Sequence, residues 1–314
     1  MSLDTYTYCW KQVLLRCPKA GPFLAQTWTN WAFRNIAEQR RWTWLQKPGQ
    51  FLMNDVVSAG TASVTVGTPD VVGTGTAWDG SLIGRQFRSG VNYPIYTISN
   101  VADATHLTLD ALWGGPTLTD VTYLIYNAYM TVPDDFLSFI TAWDPAFNWQ
   151  LWTQITQEQI NMWDSQRSNT GSNAWVFSFR DYNPLPTGSP ALPRFEVWPH
   201  QLSAKPYPFL YQARATDLND FGAQLPRYIR GDVLVEGALW QAALWPGADR
   251  DNPNPYFNLS LASQHKERFL REVMTMEMQD DELSDIDITY QGYLGLPMAT
   301  IPLGDSRWLQ SHAF

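Results

Sequence analysis

Charge is scarce in this chain. Of its 314 residues only 16% are Asp, Glu, Lys or Arg, and the acidic ones prevail, with a formal charge of −9 and a pI of about 4.9. So few cations argue against a surface that clamps nucleic acid by phosphate neutralisation, although DNA can slide past such a surface. Cysteine is rarer still. Cys9 and Cys17 lie eight residues apart, roughly 12 Å along a helix, and a disulfide needs Cα atoms within about 7 Å. They are expected to be free thiols with a packing role. No run of 18 apolar residues occurs, so no membrane span is expected. Met1-Ser-Leu-Asp-Thr-Tyr lacks the basic and apolar regions of a signal peptide, and the expectation is a soluble chain made in a cytoplasm.

The usual marks of catalysis are missing too. The chain holds no G-x-S-x-G, no H-E-x-x-H, no phosphate-loop lysine and no Cys/His cluster. His106, His200, His265 and His312 are far apart and read as core or surface residues. Asp134 and Asp135 are adjacent, so they point different ways and do not share a site easily. No enzyme, cofactor or metal is expected.

What is present is aromatic. Apolar residues make up 45% and Trp alone counts 16. Trp and Tyr are enriched at interfaces, so the excess fits either a Trp-rich core or extensive subunit contacts. From Ala59 to Tyr126 short runs rich in Val, Ile, Thr and Tyr recur between Gly, Asn, Asp and Pro, which predicts a compact all-β module. Gly73-Thr-Gly75-Thr-Ala-Trp78 lies in it and reads as turn or bulge, because no helix opens after it and no Lys follows.

Helical periodicity flanks the module. Helices are expected over Asp4–Arg16, Phe23–Leu45, Gln157–Gln166 (with a Thr156/Gln159 capping box), Arg227–Leu244 and Pro255–Glu282. Three strands, 175–182, 194–199 and 207–215, suggest a small antiparallel sheet. The expected fold is α+β: a helical core, 1–58 and 127–287, split by a small all-β module at 59–126, with a short antiparallel sheet and an extended C-terminal arm at 288–314. Glu277, Asp280, Asp281, Glu282, Asp285 and Asp287 form an acidic run that opposes a helix dipole. It reads as a solvated helix end or as a surface for a basic partner, and Arg34, Arg40 and Arg41 of a neighbouring copy are candidates. Those arginines equally suit solvation and dipole pairing. The arm carries Tyr290, Tyr293, Leu296, Ile301, Trp308 and Phe314. It is too apolar for a linker and calls for a groove or sheet edge elsewhere.

The order of several motifs resembles the head-to-tail adaptors (connector, or tail tubular, proteins) of tailed phages. These are Gly73-Thr-Gly-Thr-Ala-Trp78, Tyr96-Thr-Ile-Ser-Asn-Val101 with Thr105-His-Leu-Thr-Leu-Asp110, Tyr129…Val132-Pro-Asp-Asp-Phe136, Arg214-Ala-Thr-Asp-Leu218, Leu225-Pro-Arg-Tyr228 and Leu234-Val-Glu-Gly-Ala-Leu239. Val132 stands where Leu is usual, and the last thirty residues match no pattern. The resemblance implies a structural virion protein at the neck, assembled in the host cytoplasm. It implies a ring, commonly of twelve copies, on the portal protein, with a downstream tail or nozzle protein below and DNA passing without sequence-specific binding. It also implies that the arm docks on the portal. The alternative is a tail-fibre or baseplate receptor-binding protein whose β module binds carbohydrate.

Overall fold

A computed structural model describes residues 5–90, 93–171, 173–183, 191–219, 225–226, 229–247 and 253–284. The chain opens with helices α1 (Tyr6–Arg16) and α2 (Gly21–Gln39) and, after a 3-10 turn at Thr43–Leu45, passes into strands. These are β1 (Gln46–Met53), β2 (Thr61–Val64), β3 (Asp70–Thr74), β4 (Gln86–Ser89), β5 (Tyr96–Asp103), β6 (His106–Leu109), β7 (Leu118–Val121), β8 (Tyr123–Tyr126), β9 (Tyr129–Thr131), β10 (Phe136–Asp144) and β11 (Trp149–Gln150). Helix α3 (Gln157–Trp163) interrupts them before β12 (Thr170–Gly171), β13 (Val176–Asn183), β14 (Leu192–Trp198), β15 (His200–Gln201) and β16 (Lys205–Ala213). Helices α4 (Gly231–Leu244) and α5 (Leu259–Ser284) complete the described chain.

The expectation of a helical core with a small β insert is overturned. The described residues hold sixteen strands in four sheets against five α-helices, and β structure runs from Gln46 to Ala213. The short antiparallel sheet is also corrected. β13 pairs with β14 antiparallel, but β9 takes the other edge of β14, and β16 belongs to a different sheet, ordered β1-β16-β10-β11. β1 reads as a helix stop because Lys47-Pro48-Gly49 sits inside it, and the aromatic run in and after β10 hides its period of two.

The chain divides into two compact units, Met1–Lys47 with Gln212–Phe314, and Pro48–Tyr211. In the first, α4 is buried nearly all round: Val233, Leu234, Val235, Ala238, Leu239, Ala242 and Ala243 are all in the core. A helix apolar on every side belongs at the centre of a bundle, and α1, α2 and α5 pack on it. Its small residues admit close neighbours. Here the tryptophans are core material. Trp28 meets Trp245 at 6.1 Å, Trp31 meets Trp240 at 5.0 Å, and the buried Trp42 donates its Nε1–H to the Ile36 carbonyl at 2.7 Å. Cys9 and Cys17 are buried thiols not joined in a disulfide, Cys9 donates its S–H to the Gly231 carbonyl at 3.6 Å, and burial pushes the Cys17 thiol up. Helix α2 ends at Gln39, short of the expected Leu45, and Arg40 is already extended (φ −157).

In the second unit β2 to β8 form one seven-stranded sheet ordered β7-β2-β3-β6-β5-β4-β8. Ala62, Val64, Val71, Phe87, Ile98, Leu107 and Ile125 fill its core, and Trp78 donates its Nε1–H to the Tyr123 hydroxyl at 3.0 Å. Of the two glycines, Gly73 lies within β3 opposite Ala62 and Gly75 makes the turn that follows the strand. Gly75 has φ +70, and a Cβ on Gly73 would collide with the Thr76 hydroxyl.

Candidate interaction surface

From Trp143 to Trp175 the chain exposes what it buries elsewhere. Trp143, Trp149, Trp152, Trp163 and Trp175 are 38–65% exposed, and they are the exposed tryptophans among the described residues.

Local sequence explains how these rings are held. β10 and β11 pair antiparallel, with Asp144 opposite Trp149, and Asn148 takes the left-handed conformation (φ +54) that closes the turn. Asp144 is fully buried and bonded to Lys205 Nζ at 2.5 Å, and that ammonium also lies 4.6 Å from the Phe147 ring centre. Trp152 and Trp175 are joined through the backbone, Trp152 N–H to Trp175 O at 2.8 Å. Helix α3 starts on a capping box, Thr156 with Gln159, and buries Ile160 while Trp163 faces out. The rings form a series. Phe147 meets Trp149 at 5.7 Å, Trp149 meets Trp175 at 6.5 Å, Trp175 meets the buried Trp198 at 6.1 Å, and Trp198 meets Trp163 at 5.6 Å. Between Trp143 and Trp175 the one exposed charged side chain is Glu158, since Asp144, Asp164 and Arg167 are buried.

A buried ionic network braces the series. Asp164 accepts the backbone N–H groups of Ser168 (2.8 Å) and Asn169 (2.9 Å) and the Trp198 Nε1–H (3.2 Å). Arg167, itself at φ +53, donates Nε–H to Glu196 Oε1 at 2.5 Å and Nη1–H to the Asp164 carbonyl at 2.6 Å. His200 Nε2 lies 3.2 Å from the same Glu196 oxygen. Burial alone would raise the Glu196 carboxyl, but hydrogen bonds from His200 and Arg167 outweigh it and hold the group at about 2, against an ordinary 4.5. A depressed carboxylate stabilises the fold above its unfolded pKa and loses that contribution as pH falls through the folded one. The Glu196 contribution is therefore whole above pH 4.5 and lost between there and about pH 2. Urea midpoints taken from about pH 6 down to about pH 2 should fall more steeply for the wild type than for Glu196→Gln, and parallel curves would refute this.

The residues singled out from sequence are placed differently. Arg34 pairs with Asp217, Nε to Oδ1 at 2.6 Å. Arg40 Nη2 reaches Asp281 at 2.5 Å and Asp280 at 3.6 Å in its own chain, and its guanidinium lies over Trp42. Asp280, fully buried, accepts the Thr43 N–H at 3.1 Å. The acidic run thus meets Arg40 within the chain. Arg41 is exposed, and Glu282 lies in α5. Tyr290, Tyr293, Leu296, Ile301, Trp308 and Phe314 fall outside the described residues. Among the described residues no group of three or more His, Cys, Asp or Glu could hold a metal ion. Sequence reasoning misses the aromatic series, although a signal is there. The stretch 143–175 carries five Trp and only four charged residues, Asp144, Glu158, Asp164 and Arg167. No protein-family model matches the chain, and no curated protein matches it.

Proposed function

We propose that this chain is a structural adaptor of a tailed phage, forming a ring between portal and tail that serves as a DNA conduit. One observation supports the reading beyond the motif order: a folded β unit that leaves five tryptophans exposed along a stretch with a single exposed charge. Such a surface suits a protein that completes itself against other chains. An acidic chain suits a conduit wall, because like charge keeps DNA from adhering. The carbohydrate-binding alternative needs an exposed aromatic platform within 59–126, and no Phe, Trp or Tyr among the described residues there is exposed.

Light scattering of the purified chain, alone and mixed with portal protein, tests the proposal. The expected result is a complex with a defined ring stoichiometry. A monomer indifferent to portal would overturn it.

A further inference from the structure

The aromatic series and helix α5 carry complementary chemistry. The series offers ring faces, ring edges and amides (Asn148, Gln150) with one exposed carboxylate, Glu158. The solvent face of α5 offers Arg268, Arg271, Met274 and Met278, with the two methionines 63% and 62% exposed. Spacings of three and four residues put these on one stripe, opposite the buried Phe269, Val273 and Met276. Glu267 lies on the same stripe. Neither Arg268 nor Arg271 forms an ion pair among the described residues. Guanidinium groups stack on Trp faces, and methionine sulfur packs at aromatic edges.

We propose that the Phe147–Trp149–Trp175 series is the docking site for the α5 stripe of a second copy of this chain. The inference rests on the adaptor reading and names the contact that closes its ring. Two unlike faces make a heterologous interface, the kind that generates rings. The ring geometry favours a protein over a sugar. Trp149 and Trp175 cross at 89°, and Trp175 and Trp198 at 87°, so the rings interlock as a ridge and do not form a flat stacking platform. Between Trp143 and Trp175 no cation is exposed, which disfavours nucleic acid. With rings of roughly 150–250 Å² each about half exposed, Phe147, Trp149 and Trp175 together offer on the order of 300 Å², enough for the anchoring centre of one side of a standard interface, about 800 Å². The braced loop beneath keeps ordering losses small.

The test uses two variants of the full chain. One removes the ridge (Trp149→Ala with Trp175→Ala) and the other reverses the stripe (Arg268→Glu with Arg271→Glu). Masses are measured for each alone, for an equimolar mixture, and with portal. Each variant alone should associate at least about tenfold more weakly than wild type. The mixture should give one-to-one pairs and no larger species, because each variant supplies the face the other lacks. The stripe variant lies on a solvent-exposed helix face, so it reports even if the ridge variant is poorly folded. If wild type forms rings while either variant assembles equally well, or the mixture yields no pairs, the docking assignment is wrong and the adaptor reading stands. If wild type neither self-associates nor binds portal, both fail.

Discussion

Arg167→Ala should lower the stability of the β unit by about 3–5 kcal/mol, the usual consequence of removing one partner of a buried ion pair. Glu196 is fully buried, and Arg167 is 8% exposed at its side chain. Without the guanidinium the carboxylate keeps His200 at 3.2 Å and Arg180 at 3.7 Å, but loses its bond at 2.5 Å. Arg167 also ties Asp164 O and Gln157 Oε1, so the loop beneath Trp163 loosens as well. For a unit of this size the melting temperature should fall by on the order of 10 °C. Backbone strain is a separate contribution, because φ +53 disfavours any residue with a Cβ. Arg167→Gly removes the strain and keeps the charge defect, so the two variants separate the effects. A loss below about 1 kcal/mol in both would mean that the network contributes little.

Legibility depends on where the information lies. The helices can be read from sequence because Trp28, Ala32 and Ile36, or Val233, Gly237 and Trp240, repeat at a helical period, and local periodicity is a property of one segment. The capping box of α3 is equally local. The sheets outside 59–126 are not legible in this way. β1 carries Pro48 and Gly49, and β9 is three residues long, so neither shows a strand pattern until a partner strand supplies one. The same limit applies to charge. Arg40 and the acidic run attract each other, which the sequence suggests. That they meet within one chain follows from packing of α5 near the end of α2, and no spacing rule contains it.

The candidate surface is half legible. Its composition is plain in the sequence, with Trp143, Phe147, Trp149, Trp152, Trp163 and Trp175 in one stretch. Exposure is a three-dimensional property. The described tryptophans of the helical unit, equally dense in sequence, are buried or packed on the core. What separates the two sets is the partner each finds. Trp28 and Trp31 lie on an amphipathic helix with apolar neighbours, whereas Trp149 and Trp175 stand on short extended segments with nothing described above them.

The second large effect is expected at Gly237. A Cβ there would stand 2.7 Å from the Ala32 methyl of α2 and 2.8 Å from the Phe269 ring of α5. Gly237→Ala gains helix propensity of about 1 kcal/mol, but contacts that short require the helices to part, and overpacking costs about 1–3 kcal/mol. Steric strain should win, leaving a net loss. Gly237→Val adds two methyl groups at the same point and should remove the cooperative unfolding transition of the helical unit, read by far-ultraviolet circular dichroism. Gly80→Ala is the control, since a Cβ there meets nothing within 4 Å; it should stay within about 0.5 kcal/mol of wild type. Combining Gly237→Ala with Ala32→Gly moves one methyl from α2 to α4 and should recover part of the loss. The Phe269 contact persists, so recovery is incomplete. Full stability in Gly237→Ala alone would show that α2 and α5 have room to move, and that close packing around α4 is not what holds the bundle.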